Sequence, residues 1–85
     1  VKYVITVVRD AAANVYGQPM FLGSKGQAIR AFSDEVQRDA ADNMLFKHPN
    51  DFELFYVGEY DDATASFDCP EPLVSLIRGA DCRKV

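Results

Sequence analysis

A chain of 85 residues, 48% hydrophobic and 26% charged, has room for one small domain and the composition of a folded one, which excludes two domains and a disordered accessory tail. Its net charge of −4 argues against a protein that holds nucleic acid by charge alone, because sequence-independent binders draw affinity from lysines and arginines on phosphates. Two cysteines without paired His or Cys neighbours make no zinc pattern, and in a reducing cytosol they are expected to stay free thiols.

Residues Val1 to Arg9 carry β-branched side chains on both faces, which predicts a central strand. The run is too short for a membrane span or a signal peptide, so a cytoplasmic protein is the default expectation. A start at valine is what remains if an initiator methionine has been trimmed, and a boundary cut within a longer chain would look the same. Asp10 to Gly17 loses the alternation and reads as a helical turn or a loop. Pro19 to Gly23 suits a brief edge strand, where proline need not donate to a ladder. Ser24 is then an N-cap for an amphipathic helix from Lys25 to about Ala41, with Ala28, Ile29, Phe32, Val36 and Ala40 on its core-facing stripe. Arg30, Asp34 and Arg38 form a ladder on the opposite side. Asn43 marks the end of that helix, and Met44, Leu45 and Phe46 form an apolar patch that tucks under the sheet or meets a partner.

Asn50 and Asp51 are turn formers ahead of a strand from Phe52 to Tyr60. Simple alternation puts Phe52, Leu54, Tyr56 and Tyr60 on the face expected to pack on the helix, and Glu53, Phe55, Val57 and Glu59 on the other. Gly58 suggests a bulge or the close approach of another backbone. Asp61 to Thr64 turns into a short hairpin partner, Ala65 to Cys69. Pro70 and Pro72 break that strand. Leu73, Val74, Leu76 and Ile77 have the mixed spacing of a short helix that Gly79 ends, and residues 81–85 are expected to fray. No repeat and no low-complexity tract shows.

These elements predict an α+β fold: a small sheet of three to four strands packed against one main amphipathic helix, with a short C-terminal helical segment. If the first and long strands are neighbours, a right-handed crossover through the helix makes them parallel. The alternative puts the first strand beside the hairpin partner. A domain this small keeps much of its surface in water, so a homo-oligomer, a dimer or larger, is expected to support it.

Three stretches carry a resemblance. They are Gly17-Gln18-Pro19-Met20-Phe21, then Ala28-Ile29-Arg30-Ala31-Phe32, and above all the block from His48-Pro49 through Asp51-Phe52, Leu54-Phe55 and Val57-Gly58 to Tyr60-Asp61, with Pro70, Leu73 and Val74 beyond it. The chain resembles the small nonstructural protein of gokushoviruses and related tailless single-stranded-DNA phages of the Microviridae, usually labelled a DNA-binding or DNA-replication accessory protein. Gln18 departs from the proline more usual there, which loosens that turn. The resemblance implies a nonenzymatic factor of the host cytoplasm that acts in viral single-stranded DNA synthesis or genome packaging, by binding single-stranded DNA or the replication and capsid proteins that hold it. The alternative is an oligomeric module that binds a phage or host protein and touches no nucleic acid.

The residues themselves offer no reaction centre. His48 is the single histidine, followed by a proline that biases the backbone toward extended, and it reads as a turn residue whose ring bonds the turn. Asp34-Glu35 and Asp61-Asp62 lack the convergent ligands of a metal site, and Gly23-Ser24-Lys25-Gly26 lacks the frame of a phosphate loop. No catalytic, cofactor or metal residue is therefore assigned. For single-stranded DNA, the usable cations are Lys25, Arg30, Arg38, Lys47 and His48, on the helix surface and the loop after it. The aromatic supply is four tyrosines and six phenylalanines, whereas Glu53 and Glu59 beside Phe55 are expected to repel phosphate.

Overall fold

A computed structural model of the chain describes residues 1–82. Six strands make one antiparallel sheet: β1 Lys2–Asp10, β2 Val15–Tyr16, β3 Met20–Leu22, β4 Phe52–Asp61, β5 Ser66–Asp68 and β6 Val74–Arg78. The helices are α1 Lys25–Gln37, α2 Met44–Lys47 and α3 Gly79–Cys82, with a 3-10 turn at Pro49–Asp51. β1 and β4 lie side by side at the centre, antiparallel from Lys2↔Asp61 to Asp10↔Phe52. β2 and β3 share the outer edge of β1, and β5 and β6 share the outer edge of β4.

The expected sheet of three to four strands under one main helix is therefore corrected: the protein is mainly a six-stranded sheet, and its helices are small beside it. Two added strands account for the difference: Val15–Tyr16, in the stretch expected to be a helical turn or a loop, pairs with β1 as β2, and β6 takes the place of a helix. Leu73 to Ile77 was expected to be helical, but Val74–Arg78 pairs with β4, and Gly79 begins α3 where it was expected to end a helix. The register slips by one residue at Leu76, with Ser75 opposite Phe55 and Ile77 opposite Leu54, and this extra residue scrambles the two-residue period. The parallel crossover is also corrected. β1 reverses through β2 and β3 before α1 begins, so the chain returns along β4 antiparallel to β1. The frayed end expected over 81–85 falls partly outside the described residues. Asp81 and Cys82 belong to α3.

The two halves follow one plan that the sequence does not show as a repeat: a long strand, a four-residue turn, two short strands on one edge, then a helix. Asp10 and Asp61 begin the turns, each accepting backbone N–H bonds through its carboxylate, at 3.0 and 3.3 Å from Ala12 and Ala13 and at 3.0 Å from Ala63. Each turn closes on a residue with φ of 57°, Asn14 in the first and Ala65 in the second.

α1 starts where expected, with the Ser24 hydroxyl accepting from Gln27 N–H at 3.1 Å. It stops at Gln37, short of the expected Ala41, because Arg38 turns extended and Asn43 takes over the exposed carbonyls. Buried Asn43 donates through Nδ2 to the carbonyls of Glu35 and Arg38, both at 2.8 Å, and accepts from Leu45 N–H at 3.1 Å, so one amide ends α1 and begins α2. Ala28, Phe32 and Val36 of α1 are buried against Leu54 and Cys82, with Val8, Leu22, Ile29, Leu45, Phe52, Leu76 and Ile77 around them. Ala40 lies beyond the helix.

Gly58 meets both expectations placed on it. The β1 register slips there, with Ile5 opposite Gly58 and Thr6 opposite Tyr56, and an added Cβ would sit 2.2 Å from the Asp68 carbonyl oxygen.

Candidate functional site

Residues directly opposite each other in an antiparallel pair share a face, so the register sorts the side chains of the sheet. Leu54 and Val8 are paired and packed on α1, and Thr6, Tyr56 and Leu22 follow them onto this covered side. The extra residue near Val57 then exchanges the faces of β4. Tyr60, expected against the helix, is carried to the open side opposite Tyr3, and Glu59 moves to the covered side opposite Val4. Phe55 consequently keeps Glu53 but loses Glu59 as a neighbour on its face.

The open side is a floor of rings. Tyr16 and Phe55 meet edge to face at 6.0 Å, Phe21 and Tyr60 at 5.8 Å, and Tyr60 and Phe67 lie tilted at 4.8 Å. These rings roof Ile5 and Val7, which are 3% and 7% exposed on a side that no helix covers. The roof itself is wet: Tyr16, Phe21 and Phe67 are 50%, 49% and 61% exposed. Exposed rings gathered on one face make this side the candidate contact surface. By register the charges on this side are Arg9, Glu53 and Arg78, with the Arg9 guanidinium 5.9 Å from the Tyr16 ring centre. Asp10, Glu59, Asp61 and Asp68 belong to the other side.

Of the cations expected from the sequence, Lys47 and His48 line one cleft with Asn50 and Asp51, whereas Lys25 and Arg38 stand far apart. Lys25 and Arg38 flank α1 at its two ends, about 20 Å apart at 1.5 Å per residue. Lys25 Nζ rests 4.3 Å above the Tyr56 ring of its own sheet. Arg38 is clamped to Glu35 by bonds of 2.6, 3.0 and 3.2 Å, which hold the Glu35 carboxyl below its ordinary value and raise the guanidinium. The ladder partner is thus Glu35, one residue beyond the expected Asp34. Arg30 is exposed on α1, and Lys47 and His48 are exposed around the end of α2. The His48 backbone closes the turn, its N–H donating to Met44 O at 2.8 Å and its carbonyl accepting from Asp51 N–H at 3.0 Å. The sequence reading missed Arg9, Tyr16, Phe21, Phe67 and Arg78, whose common face emerges only once the register is known.

At one end of the open side, Arg9, Asn50, Asp51, Glu53, Arg78 and Ala80 are among the residues lining a cleft of about 310 Å3. Among the described residues no three His, Cys, Asp or Glu side chains gather closely enough to hold a metal ion. Cys69 is exposed, and Cys82 is buried with its thiol pushed up by that burial.

The family model described as Phage ORF5 protein matches residues 3–82. The chain belongs to that family. Protein ORF5 of Chlamydia phage 1 is 36% identical over 56 residues, covering 64% of this chain and 58% of that protein. No solved structure matches. The microvirus resemblance is thus supported as far as a phage ORF5 protein, and neither name states what the protein binds. No helix among the described residues is long and apolar enough to cross a membrane.

Proposed function

We propose that this protein is a nonenzymatic phage factor of viral single-stranded DNA synthesis or genome packaging, which binds single-stranded DNA on the open side of its sheet. The observation that carries the reading is the floor of edge-packed rings, half exposed on a face without a covering helix. Unpaired bases stack on aromatic side chains whatever their sequence, and a twisted sheet presents such rings at successive positions. The separation of charge supports it too. By register the strands of the open side carry two arginines and one glutamate, with Asp51 and Asp81 beside them at the cleft end, while Asp10, Glu59, Asp61 and Asp68 face away. A net charge of −4 over the whole chain is then compatible with a strand lying on this one face.

The test is fluorescence anisotropy with a labelled oligothymidylate at low and at moderate salt. Binding at low salt is expected, and Phe21→Ala with Phe67→Ala should weaken it about tenfold or more, since each stacked base contributes about 1–3 kcal/mol. No binding at low salt contradicts the reading. That result would favour an oligomeric module that docks a protein on the same rings, a second reading supported by the bare phenylalanines at the two rims of the sheet.

A further inference from the structure

We propose that the cleft at the end of the open side takes the Watson–Crick edge of a single thymine base; this rests on the single-stranded DNA reading above and names what part of the strand the cleft reads. Arg9, Glu53 and Arg78 stand directly opposite one another across β1, β4 and β6, a row of plus, minus and plus. Opposite charges in that register ordinarily close on each other. Here no ion pair joins Glu53 to either guanidinium among the described residues. Each arginine is bonded elsewhere instead. Arg9 Nη2 donates to Asn14 Oδ1 at 2.7 Å, and Arg78 Nε donates to Asp81 Oδ2 at 3.3 Å. Glu53 accepts from the Ser75 hydroxyl through Oε2.

The row is thereby held open around a cleft of about 310 Å3, room for one pyrimidine. What stays available in it is Glu53 Oε1 as an acceptor, flanked on both sides by guanidinium N–H donors. A phosphate does not suit a cleft with a carboxylate at its centre and Asp51 on its wall. A base edge does. Thymine offers acceptor, donor, acceptor in O4, N3–H and O2, the complement of donor, acceptor, donor. Cytosine offers donor, acceptor, acceptor, which sets its amino group against a guanidinium and a bare ring nitrogen against Glu53. Leaving such groups unpaired is penalised more than a matched bond is rewarded. Tyr16 links the cleft to the rings, lying under the Arg9 guanidinium and edge-on to Phe55, so a strand stacked on the floor can deliver a base into it.

The experiment compares anisotropy titrations of an oligothymidylate and an oligocytidylate of equal length, at neutral pH and fixed low salt, on the wild type, Glu53→Gln and Arg78→Gln. The wild type should bind oligothymidylate about tenfold tighter, and the preference should shrink toward unity in Glu53→Gln, whose amide donates as readily as it accepts. Arg78→Gln alters an exposed position without a core contact and should also lower the preference, so the test does not depend on one variant folding. Equal affinity of the wild type for the two strands overturns the thymine assignment while the DNA-binding reading stands. A preference that survives both substitutions comes from backbone flexibility or stacking, and overturns it equally. No binding to either strand overturns both readings.

Discussion

The two sides of this sheet are built from similar residues and differ in what covers them. On the covered side Leu54, Phe32 and Val36 exclude water almost completely, at 0%, 4% and 0% exposure. On the open side the rings of Tyr16, Phe21 and Phe67 keep about half their surface in water. Burial of apolar area is what stabilises a fold, roughly in proportion to the area removed from water. An aromatic left half exposed contributes little of that, while remaining available to a ligand. The comparison teaches that apolar content alone does not separate core from open surface in a chain of this size. The side of the sheet does, and in β4 the side is set by one extra residue near Gly58.

The largest expected effect breaks the covered side. Phe32→Ala removes a ring at the centre of the core and should cost about 3–5 kcal/mol in urea unfolding, enough to unfold a marginal domain. A loss under about 1 kcal/mol would mean that α1 does not seal this face. Next comes a point where main chain lies close against β4. Gly58→Ala puts a methyl 2.2 Å from the Asp68 carbonyl oxygen, so the β5 strand must shift, at a cost of about 1–3 kcal/mol visible in the same assay.

A smaller effect of the opposite sign is expected at Thr6, fully buried on the covered side with its hydroxyl unbonded. Thr6→Val should raise stability by about 1 kcal/mol, since the lost hydroxyl has no protein partner to leave behind. Destabilisation would reveal an ordered water or another acceptor at that site. The smallest effect belongs to the open side. Phe67→Ala, on an exposed edge strand, should cost about 0.5–1 kcal/mol in unfolding, the worth of its ring contact with Tyr60, while weakening oligonucleotide binding. Were it to unfold the domain, the rings would be core after all, and the contrast between the sides would fail.

Much of this was legible in the residues. β1, β3, β4 and the hairpin to β5 follow their patterns, Ser24 caps α1, and Ala28, Phe32 and Val36 are the buried stripe that the helical period requires. What escaped were the places where one added residue breaks a two-residue period. Leu76 disguised β6 as a helix, and the slip at Val57 sent Tyr60 to the face opposite the one that simple alternation assigns. The fold class missed for the same reason, since a strand read as helix tilts the balance away from β. The candidate site was least legible of all. Arg9 and Tyr16, or Arg78 and Glu53, become neighbours only through pairing across the sheet, whereas Lys25, Arg30, Arg38, Lys47 and His48 stood out merely as cations near one helix.

The most direct measurement is the footprint of an oligothymidylate on the isotope-labelled protein, read as chemical-shift changes across the two sides. Shifts should concentrate at Tyr16, Phe21, Phe55, Tyr60 and Phe67, with Ala28, Phe32 and Val36 unmoved. A footprint on Arg30, Arg38, Lys47 and His48 that leaves the rings unchanged would contradict the account.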